Sequence, residues 1–233
     1  AAITISGSPQ STFGASNQFN LAGQTNLDKF SPVYVPDGAS DNELLNFIMA
    51  GREQFNGSIE QLSSLLTQEV NLTTEFPDSA FGQQCYAIAK LMALGFKPRV
   101  WHLGLGSFDT HSNQLTAHQN LLDDMATSLA ALREALIEVS LWQQTSIASY
   151  CEFGRRVAEN GSLGTDHGTA ASHFVLGGNI NGGIYGQYPS LTDLDNGDLK
   201  YTTDFRAYYK SLLNLNNFSV PSLIEGFDSL GFV

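Results

Sequence analysis

The sequence is short of positive charge, of cysteine and of long apolar runs. Eleven Lys and Arg stand against 23 Asp and Glu, a formal charge of -12 with a sequence pI near 4.6. Such a chain repels nucleic acid and anionic lipid surfaces, so cations are the charged partners to expect. The two cysteines, Cys85 and Cys151, form no C-x-x-C pair, which removes the usual redox and metal-ribbon patterns, and both read as buried thiols. No apolar run approaches the ~20 residues that cross a bilayer, so no membrane span is expected.

What remains is enough for a folded domain. The 233 residues, 42% of them hydrophobic, suffice for one α/β domain with its own core. Residues 1–40 are rich in Ser, Gly, Asn and Gln and read as an irregular surface segment around one short strand at ITIS; residues 41–233 read as the helix-strand core of the same domain. A helix is expected from an N-cap at Asp41, with apolar residues at 44, 45, 48 and 49 on one face, and a second from about Ser79 to Leu94, stopped by Gly95. KPRVWHLGLG reads as a strand, and 113–139 as a long helix with its stripe at Leu121, Met125, Leu129, Leu132 and Leu136. TSIASYC and HFVLGG read as further strands.

Strand, helix and strand in that order predict a parallel pair with a right-handed crossover. The loop 153–172 shows no helix to return the chain, so HFVLGG is expected to run antiparallel to its predecessor. A fourth helix over 204–215 and a tail, SLIEGFDSLGFV, docked through its aromatic residues complete the picture. The fold class is α/β, with a mixed, mostly parallel sheet flanked by helices.

All five histidines, His102, His111, His118, His167 and His173, lie between positions 102 and 173. The same window holds FDTH at 108–111, CEFGR at 151–155 and GTDHG at 164–168. Ligand crevices of parallel sheets lie beyond the carboxyl ends of the strands, where Asp109, His111 and Glu152 fall. An antiparallel HFVLGG would bring Asp166, His167 and His173 to the same edge. Imidazole with carboxylate suits Zn, Mn or Fe better than Ca or Mg. Bland roles compete: Asp109 as a helix cap, Glu152 with Arg155 as an ion pair, Asp166 as a turn residue, His102 and His118 as packing groups.

The succession FDTHSNQ, leucine-rich helix, EFGRR, NGSLGTDHG, HFVLGGNINGGIYGQYP and terminal LGF resembles the DUF1501 family of secreted bacterial proteins, within the alkaline phosphatase and sulfatase-like superfamily. The resemblance implies a periplasmic or extracellular location and an alkaline phosphatase-like fold. It also implies a divalent metal, Zn or Mn, held by Asp109, His111, Glu152, Asp166, His167 and His173 as ligands or supporting groups, with either Glu152 or the pair Asp166 and His167 at the second metal position. Arg155 or Arg156 is a weak candidate for holding an oxyanion, since guanidinium forks match phosphate and sulfate geometry, with ordinary surface pairing as the competing role. Family members carry an export signal and a GGxDxxN-like turn ahead of this region. By that comparison the chain resembles the carboxyl-terminal portion of a larger domain, its sheet incomplete without an amino-terminal half or another copy, and its nucleophile is not identifiable here. The function implied is hydrolysis of a small anionic phosphate or sulfate ester; the alternative is a non-enzymatic extracellular protein for structure, assembly or glycan binding.

Overall fold

The computed structural model describes residues 2–4, 21–23, 34, 35, 38, 40–96 and 98–232, and most of the irregular segment expected over 1–40 lies outside them. The chain divides into two compact units, one of residues 1–106 and 121–139, the other of residues 107–120 and 140–233.

In the first unit, β1 (Ala2–Thr4), β2 (Leu21–Gly23) and β3 (Val100–His102) form a parallel sheet in the order β2-β1-β3, with Ile3 opposite both Ala22 and Trp101. Helix α1 (Glu43–Leu66) starts at Asn42, whose side chain accepts from the Leu44 and Leu45 amides; the cap falls one residue after the Asp41 expected from sequence. Helix α2 (Ala80–Ala93) is capped by Ser79, which accepts from the Gly82 amide, and it stops before Gly95 at φ +86°, a left-handed conformation that suits glycine. Helix α3 (Gln114–Glu138) buries Ser128, Leu129, Ala131, Leu132, Ala135 and Leu136 toward its carboxyl end, following the three-and-four spacing of the predicted stripe. With Leu62 of α1 and Phe81, Cys85, Ile88 and Leu91 of α2, these side chains are the dry core of the unit. Each fully buried Leu contributes about 1.5–3 kcal/mol. Burial pushes the Cys85 thiol up to about 12, helped by the Asp124 carboxylate.

In the second unit, β4 (Ser146–Ala148) pairs antiparallel with β7 (Val175–Gly177), as the missing return helix predicted. Strands β5 (Gly154–Glu159) and β6 (Thr165–Gly168) form a hairpin, as do β8 (Leu194–Asp195) and β9 (Asp198–Leu199). The second hairpin turns on Asn196 and Gly197, both at positive φ, which fits the twist of a two-residue hairpin. Helix α4 (Phe205–Leu215) is capped by Asp204, and a single turn, α5 (Ser222–Glu225), follows. The tail docks as its aromatic residues suggested: Phe232 is buried edge-on to Tyr185, and Phe227 lies beneath the Arg206 guanidinium.

Three expectations are corrected. The described strands form four small sheets, one parallel and three antiparallel, in place of one mostly parallel sheet. Strands β3 and β4, expected to be neighbours, pair instead with β1 and β7. A strand-helix-strand pattern fixes a crossover but not a partner, and here β1 competes successfully for β3. Cys151 is also exposed rather than buried, and both thiols are free.

Candidate metal centre

Past β3 the chain makes a tight three-residue turn at Asp109, the Thr110 amide donating to the Phe108 carbonyl at 2.9 Å. Thr110 is buried, while Asp109 and His111 are both exposed. The hairpin supplies the rest. Arg155 of β5 stands opposite His167 of β6, and cross-strand partners share a face. Both reach Asp109, with Arg155 Nη2 donating to Oδ1 at 2.7 Å and His167 Nε2 lying 2.9 Å from the same oxygen. His111 Nε2 is 2.8 Å from that oxygen and 3.1 Å from His167 Nε2.

The two segments are stitched through backbone. The Asn113 and Gln114 amides, at the start of α3, donate to the Ser162 and Leu163 carbonyls, and the Thr165 amide donates to Thr110. Gly164 rests on His111 so closely that a Cβ would lie 2.2 Å from its carbonyl carbon, so only glycine fits there. Phe153 stacks on the His167 ring, with centroids 3.8 Å apart, and fixes its plane.

Asp109, His111 and His167 are the three metal-capable groups that converge among the described residues, and all are exposed. The hydrogen bond with His167, reinforced by Arg155, holds the Asp109 carboxyl below the usual carboxylate range. Asp166 stands behind His111, with Oδ1 3.5 Å from Nδ1, and its carboxyl is also held low, first by the Asn160 amide and then by His111.

Glu152 and His173 do not join this group. Glu152 is exposed beside Cys151, whose thiol is raised by partial loss of hydration and by that charge. His173 stacks on Tyr208, with Nδ1 3.3 Å from Ser149 Oγ, and lost hydration lowers its pKa. His118 packs edge-on to Phe108. The Arg155 guanidinium donates to the Thr165 and Phe108 carbonyls as well as to Asp109, which makes it a strut under the cluster.

Sequence reading missed Asn160 and Phe153. The signal was present, because the five-residue run NGSLG between GRRVAE and TDHG is a glycine-bearing hairpin loop; read as such, it would have paired the two strands, although the shifted register that puts Arg155 opposite His167 is not legible from it.

Comparison with curated proteins and with solved structures finds no match. The sequence does fit, over residues 20–217, the family described as "Protein of unknown function (DUF1501)", and the chain belongs to that family.

Proposed function

We propose that Asp109, His111 and His167 hold a divalent cation, Zn or Mn, and that the chain is a metal-dependent hydrolase of phosphate or sulfate esters that works outside the cytoplasm. The convergence of two imidazole nitrogens and one carboxylate oxygen carries the reading. Their separations of 2.8, 2.9 and 3.1 Å are close to the roughly 3.0 Å between adjacent donors on a six-coordinate ion with bonds of about 2.1 Å. Both ring nitrogens face a single carboxylate oxygen that Arg155 already occupies, so two ring N–H groups aimed there would crowd each other. A shared cation gives all three lone pairs one partner.

Three protein ligands at an exposed position leave room for water and substrate, the arrangement of reactive rather than structural sites. A bound cation would supply Lewis acidity and a more acidic water. Around it, Arg155 fixes the Asp109 carboxylate, Phe153 fixes the His167 ring, and the hairpin turn fixes His111.

The test is to strip the full chain with a chelator, reload it with Zn or Mn, and assay p-nitrophenyl phosphate and p-nitrophenyl sulfate. Turnover should appear only on reloading, and His167→Ala should weaken cation binding on the order of 100-fold or more. Stoichiometric loading without hydrolysis of either ester would sink the hydrolase reading. A second reading, a non-enzymatic extracellular glycan-binding role, is favoured by the exposed rings of Tyr188, Tyr201 and Phe205; retention on immobilised polysaccharide without turnover would support it.

A further inference from the structure

Asn160 has the most complete set of side-chain hydrogen bonds around the cluster. Its Nδ2 donates to Asp166 Oδ1 and to the His111 carbonyl, each at 3.1 Å. Its Oδ1 accepts from the Ser162 amide at 2.9 Å and the Gly164 amide at 3.1 Å. Two donors and two acceptor positions are all that an amide side chain has, and each is used here. The oxygen half builds the turn of the hairpin. The nitrogen half touches only His111 and Asp166.

We propose that Asn160 is a positioning residue for the Asp109, His111 and His167 centre, holding Asp166 behind His111 Nδ1 so that Nε2 is presented to a cation. The inference rests on the cation reading above and assigns Asp166 to support rather than ligation. Its logic is that a ligating imidazole is oriented through its other nitrogen, commonly by a carboxylate that is itself hydrogen-bonded. Asp166 stands 3.5 Å from Nδ1, while Nε2 faces Asp109 and His167. The Asn160 amide keeps the Asp166 carboxylate from swinging into solvent, and its second N–H pins the His111 backbone.

Asn160→Asp separates the two halves of the side chain. Both acceptor bonds to the Ser162 and Gly164 amides survive, so the turn keeps its shape, but both donors are lost and a carboxylate faces Asp166. Charge alone predicts tighter cation binding in this variant, since it adds a negative group near the site. Positioning predicts the opposite sign.

Isothermal titration of the chelator-treated full chain with Zn(II), alongside the visible spectrum of the Co(II)-loaded protein, reads both effects. N160D should weaken Zn(II) binding by about 10–100-fold and alter the Co(II) bands. Asn179→Asp, which adds the same charge at an amide that donates to Gln143, should do neither. In an Asp166→Asn background the effect of N160D should shrink by at least half, because the action runs through Asp166. N160D binding as tightly as the parent or tighter, with an unchanged Co(II) spectrum, overturns the positioning role and leaves the cation reading standing. A parent chain that binds neither Zn(II) nor Co(II) overturns the cation reading, and the positioning role with it.

Discussion

Leu136 and His167 represent two ways in which this chain holds itself together. Leu136, in the first unit, is fully buried. His167, in the second, leaves about half its side chain, 48%, open to solvent and is held by a stacked ring and a shared carboxylate oxygen. The first unit is stabilised by area removed from water, which is non-directional and tolerant of small shifts. The second is organised around polar groups whose partners must sit at set distances, where small shifts matter more. A chain that concentrates its apolar stripe in one region and its titratable cluster in the other keeps stability and chemistry on different residues.

Substitutions can break that division or sharpen it. The largest effect is expected at the core: Leu136→Ala should cost about 2–5 kcal/mol, read as a lowered melting temperature, with Zn(II) affinity unchanged. If the affinity falls as well, stability and site are not separate. Gly164→Ala should cost about 1–3 kcal/mol and also weaken Zn(II) binding, because the turn must move away from the His111 carbonyl. A variant that loses stability alone would show that the hairpin turn does not fix His111.

The smallest effect concerns acid. The hydrogen bond with Arg206 holds the Asp204 carboxyl at about 2, below the ~3.9 of an unfolded Asp. A depressed folded pKa favours the ionised native state, so this stabilisation is complete above about pH 4 and is lost as pH falls toward 2. Asp109 and Asp166 shift in the same direction. Asp204→Asn should therefore flatten part of the fall in melting temperature between pH 4 and pH 2; an unchanged slope would place the acid sensitivity elsewhere.

The helices were legible because their signals are local. Ser79, Gly95 and Asp204 act at the ends of α2 and α4, and the buried residues of α3 follow its spacing. Strand partners were not, since pairing of β3 with β1 depends on residues far apart in the chain. The site shows the same split. Asp109 and His111 could be read as a pair from their two-residue spacing. That His167 meets them while Glu152 and His173 stand apart depends on the register of the hairpin, which places Arg155 opposite His167. Reading 153–172 as irregular loop concealed that hairpin.

The amide of Asn160 has one more consequence, and it concerns time. Asn160 precedes Gly161, and with no side chain on the following residue to hinder it, the Gly161 peptide nitrogen can attack the Asn160 side-chain carbon, expel ammonia and leave a cyclic imide that water opens to Asp or iso-Asp. Asn is among the thermolabile residues for this kind of reason. The four hydrogen bonds that anchor the amide oppose the rotation this attack needs, so the folded turn protects its own chemistry. Once the turn opens, ageing writes the Asn160→Asp change, or its iso-Asp relative, into the molecule, and a stored sample becomes a mixture whose composition records how long that turn has spent unlatched.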